Sequence, residues 1–130
     1  MSSYVLDTHA YLIAVTAPKK LGKNATRVLR RIERGQDEGL LPAAVVAEVV
    51  MLAELGRTDI GLQELKASLQ DTPALRFLAL DLPQLELFAG LRNLRDPFDR
   101  LIASATLATG SRLVTKDARL AESGLLEVVW

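Results

Sequence analysis

Apolar positions along the 130-residue chain change their spacing from segment to segment, and those changes predict the elements. Tyr4-Val5-Leu6 is a short apolar run ending at Asp7 and reads as a buried strand. Residues 9–16 read as a short helix. Leu21, Ala25, Val28, Leu29 and Ile32 recur at helical spacing, which predicts an amphipathic helix over 22–35, stopped by Gly35. Gly39-Leu40-Leu41 reads as a short strand. Pro42 then opens a long apolar helix reaching about Leu55 and ended by Gly56. Residues 61–71 form another amphipathic helix, with Leu62, Leu65 and Leu69 on one side. Phe77-Leu78-Ala79-Leu80 reads as a strand, Pro83 starts a helix to about Leu91, and Asp96-Pro97 starts one ended by Gly110. Residues 112–115 and 126–129 are the closing strands. Strands alternating with helices imply parallel strands joined by helical crossovers, in a three-layer α/β/α sandwich with a central parallel sheet. In such sheets ligands bind beyond the C-terminal ends of the strands, at the topological switch point.

No repeat, low-complexity tract or linker divides the chain, and its length suits one domain over residues 1–130. Hydrophobic residues make up 49%, enough to build a core. No apolar run of about 18 residues is present, so no membrane span is expected. The first residues lack a basic stretch followed by a long apolar one, so no signal peptide is expected either. Cysteine is absent, which excludes disulfides and thiolate metal sites and makes a reducing cytoplasm the expected compartment. A single histidine excludes a multi-histidine zinc site. Any metal must therefore be held by oxygen ligands, which points to Mg²⁺, Mn²⁺ or Ca²⁺.

Net charge is zero, with 16 basic and 16 acidic residues, but its distribution is uneven. Residues 19–34 hold seven basic residues and one acid, Glu33. Within them Lys23, Arg27, Arg30 and Arg34 form a stripe on the outer face of the helix. Such a stripe is either a solvated face or a track for an RNA backbone.

Four acids stand out by position. Asp7 directly follows the first strand; it is either a ligand or the N-cap of the next helix. Glu48 has Ala44, Val45, Met51 and Leu52 as helical neighbours, so it falls on a buried or half-buried face and needs a cation, a base or a proton. Asp96 reads as an N-cap, Pro97 as the first helical residue and Asp99 as a first-turn acid, all of which helix capping explains; the same geometry also puts Asp99 near a sheet-end site. Asp117 follows the last helix-flanked strand by two residues and is either a turn residue or a ligand. Packed together, such acids repel one another, and a divalent cation removes that conflict. His9 reads either as a residue that caps or packs near the helix start or as one that touches substrate.

Tyr4-Val5-Leu6-Asp7-Thr8-His9-Ala10, Glu48 in its apolar helix, Asp96-Pro97-Phe98-Asp99-Arg100-Leu101-Ile102-Ala103 and Leu113-Val114-Thr115-Lys116-Asp117 together resemble the PIN-domain family, in particular the VapC-type ribonuclease toxins of toxin–antitoxin pairs. The motifs match in order and spacing over nearly the whole chain; each is short, and the specificity lies in the set. The resemblance implies a metal-dependent endoribonuclease whose acidic quartet is Asp7, Glu48, Asp99 and Asp117, holding Mg²⁺ or Mn²⁺. Thr8, Asp96 and Thr115 match supporting positions beside that quartet. Lys116 and Arg100 are expected to meet RNA near the site, with Lys23, Arg27, Arg30 and Arg34 further along it. A water activated by the metal needs no 2′-hydroxyl nucleophile, so products with 5′-phosphate and 3′-hydroxyl ends are expected. The resemblance also implies an antitoxin partner and a homodimer. The leucine-rich helices at 43–55 and 61–71 are either the antitoxin groove or core. Two departures concern Ala47, where related chains often carry tryptophan, and Leu94-Arg95, where they often carry histidine; both bear on substrate choice more than on the quartet.

The main alternative is a PIN-like module that binds RNA or protein without cutting. A haloacid dehalogenase-like phosphatase would need an acid at position 9, which is His9. A receiver domain would need an acidic pair before Asp7, where Ser2, Ser3 and Tyr4 stand.

Overall fold

A computed structural model describes all residues, 1–130. Its centre is a five-stranded, all-parallel sheet of order β3-β2-β1-β4-β5. The strands are β1 (Ser3–Leu6), β2 (Glu38–Pro42), β3 (Leu75–Leu78), β4 (Arg112–Val114) and β5 (Val128–Val129). The helices are α1 (Thr8–Thr16), α2 (Lys23–Glu33), α3 (Ala43–Glu54), α4 (Leu62–Asp71), α5 (Leu82–Gly90), α6 (Pro97–Ala108) and α7 (Ala118–Glu122). A single 3₁₀ turn, Pro18–Lys20, joins α1 to α2.

The chain moves outward from β1 through β2 to β3, then returns to place β4 on the other side of β1. Right-handed crossovers put the helices of the outward path on one face and those of the return path on the other, which gives the expected α/β/α sandwich. That reversal makes the gap between β1 and β4 the switch point. The core is one cluster of 20 buried residues, including Val5, Leu6, Leu41, Val45, Val49, Leu113 and Val114. It packs strands that are apolar on both faces, as a covered parallel sheet requires.

Pro42 ends β2 and is itself the N-cap of α3, so that helix starts at the sheet edge with no connecting loop. Gly35 and Gly56 adopt left-handed φ of 70° and terminate α2 and α3. In each case the residue after the glycine donates back into the last turn, Gln36 to Arg31 at 2.8 Å and Arg57 to Leu52 at 2.9 Å. No helix is long and apolar enough to cross a membrane.

Two departures from the sequence reading are informative. The third strand spans Leu75–Leu78 rather than 77–80. It pairs from Gly39↔Leu75 to Pro42↔Leu78 and stops where β2 stops. Its one buried residue is Leu75, and the apolar run that suggests the later register begins at Phe77, which is exposed on this edge strand. The second departure is α7, a five-residue helix after Asp117 with no counterpart in the sequence reading.

Candidate metal and phosphate site

The register β1–β4 pairs Leu6 with Val114, so Asp7 and Thr115 emerge side by side at the switch point. The Asp7 N–H donates to the Val114 carbonyl at 3.2 Å, which extends the ladder and fixes the direction of the side chain. Asp7 Oδ1 accepts from Ala10 N at 2.8 Å and caps α1. Asp7 is thus the N-cap of α1 and at the same time lines the cleft at the strand end. Asp7 titrates above the ordinary aspartate range because burial disfavours its charge, an effect the Thr115 hydroxyl and the Ala10 N–H partly offset.

Glu48 lies half-buried on α3, between buried Ala44 and Val45 and exposed Met51. No cation pairs with it. Its Oε1 accepts from the hydroxyl of buried Thr8. That bond links the first turn of α1 to the middle of α3.

Asp96 is exposed and caps α6, its Oδ1 accepting from Asp99 N at 3.0 Å. Asp99, in the first turn of α6, is pushed up to about 6. Desolvation is the largest cause; the charges of Asp96, Asp117 and Glu48 add to it, and Arg119 opposes it. Asp117 N donates to Thr115 Oγ1 at 3.0 Å, and Asp117 then caps α7. Its carboxyl titrates below the ordinary range because Arg119 donates to it.

Asp7, Thr8, His9, Glu48, Asp96, Asp99, Lys116, Asp117 and Arg119 line one cleft of about 400 Å³ at the C-terminal edge of the sheet. An adjoining cleft of about 510 Å³ shares Asp96, Asp99, Asp117 and Arg119 with it. The quartet named from sequence, with Thr8, Asp96 and Lys116, therefore comes together from four separate parts of the chain. Thr115 stands behind the cleft wall, bonded to Asp117.

Two residues fall outside the expected arrangement. Arg100, expected beside RNA, donates from Nε to the Phe88 carbonyl at 2.8 Å, and its guanidinium lies 4.0 Å from the Phe88 ring centre. A cation satisfying the last carbonyls of α5 is stable where it is, and Arg100 turns away from the acids. Arg119, absent from the sequence reading, is the cation that faces them: its Nη2 lies 3.1 Å from Asp117 Oδ2 and 3.6 Å from Asp99 Oδ2. Its only signal is an arginine two residues after a capping acid, a pattern too common to single out. Lys23, Arg27, Arg30 and Arg34 line a different cleft, about 530 Å³, with Thr26, Arg31 and Gln36 and no hydrophobic residue.

The donor set fits a hard divalent cation: carboxylates and hydroxyls, with burial disfavouring the charge of Asp7 and Asp99 and neighbouring carboxylates adding to this at Asp99. No three of these acids are drawn together as a ready-made ligand group. Closing the set around an ion takes side-chain movement, Asp99 and Asp117 being already turned to a common point by Arg119.

Residues 4–124 match the family model for the PIN domain. Among solved structures, the chain is similar to VapBC2 from Rickettsia felis bound to a DNA fragment from their promoter, with TM-score 0.71 and 16% identity over 97% of this chain and 96% of that one. It is similar to VapBC-1 from nontypeable Haemophilus influenzae, with TM-score 0.68 and 18% identity over 97% and 96%. A toxin–antitoxin complex from Klebsiella pneumoniae gives TM-score 0.65 and 14% identity over 98% and 96%. At these identities the likeness is one of fold. No curated protein sequence matches the chain.

Proposed function

The chain belongs to the PIN domain family, and on that premise we propose that it is a metal-dependent endoribonuclease, the toxin of a toxin–antitoxin pair. The observation that carries this reading is the convergence of Asp7, Glu48, Asp99 and Asp117 on one cleft at the switch point. Structural likeness to VapBC assemblies supports an antitoxin as partner.

Asp7, Glu48 and Asp99 would hold Mg²⁺ or Mn²⁺, and Asp117 would complete the site. Bound there, the ion would supply Lewis-acid activation of water and of the phosphoryl oxygen. The other roles belong to side chains. Thr8 holds the Glu48 carboxylate in place from α1. Thr115 does the same for the turn carrying Asp117. Asp99 or Asp117, both lining the cleft, would orient the attacking water and accept its proton. Lys116, exposed on the rim of the cleft, would pair with a phosphate beside the scissile one. The basic cleft on α2 would track the RNA backbone further out.

The test is incubation of purified, antitoxin-free protein with total cellular RNA in Mg²⁺, in Mn²⁺ and in EDTA, beside Asp7→Asn. Discrete metal-dependent fragments ending in 5′-phosphate and 3′-hydroxyl, absent from the variant, are the expected result. A 2′,3′-cyclic phosphate end, or cleavage that survives in EDTA, overturns the mechanism. The second reading, a module that binds without cutting, draws on the internal pairing of Asp99 and Asp117 with Arg119. Metal binding with no cleavage of any RNA by folded protein would favour it.

A further inference from the structure

Arg119 is the second residue of α7, directly behind the capping acid Asp117. A cation in a helix's first turn gains nothing from the backbone dipole there, so its position is not explained by helix stability. Its guanidinium folds back over the cap instead. Nε lies 3.3 Å from Asp117 Oδ1 and Nη2 lies 3.1 Å from Oδ2, a two-pronged contact. The same Nη2 reaches Asp99 Oδ2, on a different helix, at 3.6 Å. No packing holds the side chain in place, since it is 81% exposed. Ion pairs that exposed are weak and easily exchanged. Arg119 also stands on the boundary of the two adjoining clefts, one lined by Asp7 and Glu48 and the other by Arg95.

We infer that Arg119 is a displaceable internal counter-ion: it bridges Asp99 and Asp117 until a divalent cation takes those carboxylates, and its freed guanidinium then grips an RNA phosphate at the cleft mouth. This rests on the metal-site reading above. A doubly charged ion outcompetes a single guanidinium for the same oxygens. The displaced side chain stays tethered to α7, beside the cleft, and its planar fork matches a phosphate. Metal loading and substrate grip are thereby coupled through Arg119, which contacts the substrate itself.

The experiment titrates Mn²⁺ into the full chain by electron paramagnetic resonance, for wild type, Arg119→Ala, Arg119→Lys and Asp7→Asn, with thermal melts to establish folding. Removal of the competing cation is expected to tighten Mn²⁺ binding about two- to fivefold in Arg119→Ala. Arg119→Lys keeps the charge, so its Mn²⁺ affinity stays near wild type, while loss of the planar fork weakens its hold on phosphate. In cleavage of a fluorescent single-stranded RNA, Arg119→Ala raises KM severalfold while kcat at saturating metal changes little. A general loss of structure would weaken Mn²⁺ binding, so tightening is specific to the inference. Unchanged or weaker Mn²⁺ binding in Arg119→Ala, with binding still abolished by Asp7→Asn, overturns the counter-ion role and leaves the metal site standing. Failure of wild type itself to bind Mn²⁺ overturns both.

Discussion

The hydroxyl of Thr8 donates to the carboxylate of Glu48, joining the first turn of α1 to the middle of α3. Thr8 is 2% exposed, so no water can substitute for it without a rearrangement of the core. Without that bond, Glu48 would be free to rotate away from the cleft. Thr8→Val keeps the shape and removes the donor. Its expected effect is a kcat about tenfold lower, as for loss of a group that orients a metal ligand. The melting midpoint should fall by no more than about 1 kcal/mol of stability allows. Cleavage kinetics and a thermal melt on the same preparation check both numbers. A variant with unchanged kcat would show that Thr8 serves the fold alone.

Asp99 makes the opposite prediction for stability. Burial and the neighbouring charges of Asp96, Asp117 and Glu48 disfavour its ionised form, raising it to about 6 from 3.8. A shift of about two units corresponds to at most about 3 kcal/mol of strain at neutral pH, and the partial exposure of the side chain reduces this to about 1–2 kcal/mol. Asp99→Asn removes the charge, keeps the shape and leaves the Asp96 cap on the Asp99 N–H untouched. The metal-free variant should melt about 3–6 °C higher than wild type while losing cleavage. Differential scanning calorimetry in EDTA gives the first result. A lower melting midpoint would mean that Asp99 is held by contacts that outweigh its repulsion.

Much of this arrangement is legible in residue order alone. The apolar runs before Asp7 and Asp117 place both acids at strand ends, and the apolar neighbours of Glu48 mark it as half-buried. Partner choice across the fold is not legible. Nothing local says that β4 lies against β1, which is what sets Asp7 beside Thr115. The Thr8–Glu48 bond follows from how α1 packs on α3, also a long-range outcome. The start of β3 is misplaced from sequence because its exposed Phe77 carries the same apolar signal as a core residue. Arg100 stands beside Asp99 in sequence, but only the fold shows that its side chain satisfies carbonyls of α5. The five residues of α7 are too few to show a period, and Arg119 stays hidden with them.

Asp37, also unmarked in the sequence reading, ties the start of the chain to α2. It is 2% exposed; Oδ2 accepts from Arg31 Nε at 2.6 Å and Oδ1 from Ser2 N at 3.0 Å. The Arg31 hydrogen bond is the largest of the effects that hold its carboxyl below the ordinary value of 3.8. A depressed folded-state value means that the ionised form favours folding. Its contribution is therefore complete above about pH 4 and is lost as pH falls through the folded-state value. In wild type the contribution of Asp37 should stay constant from pH 7 down to about 4 and then decline, separate from the gain as Asp99 takes up its proton near pH 6. Asp37→Asn should be less stable at pH 7 and show a smaller decline below pH 4. Urea unfolding at a series of pH values checks it. Parallel curves for the two proteins would exclude Asp37 from the acid limb.

The basic cleft on α2 gives a prediction about RNA. All strands run the same way, so the acids and Trp130, which follows β5, share one edge of the sheet. At Gly22, the N-cap of α2, a Cβ would lie 2.4 Å from the carbonyl carbon of Trp130, so only glycine permits this approach. That approach brings the start of α2 to the acid edge, and the stripe from Lys23 to Arg34 runs away from it for about 16 Å. This length accommodates two or three phosphates of an extended strand. Arg27 and Arg30 are exposed and make no ion pair, whereas Arg31 is committed to Asp37. The double variant Arg27→Gln, Arg30→Gln should fold normally and bind RNA on the order of tenfold more weakly. The slope of log affinity against log salt should become shallower by about 0.7 for each phosphate that the variant no longer neutralises. Fluorescence anisotropy of a labelled single-stranded RNA, in an Asp7→Asn background to prevent cleavage, measures both across a salt series. Arg100→Gln is the contrasting control, because its cation serves α5: it should lower the melting midpoint and leave the salt slope unchanged. An unaltered slope in the double variant would identify the stripe as a solvated helix face and confine RNA binding to the acid cleft and Lys116.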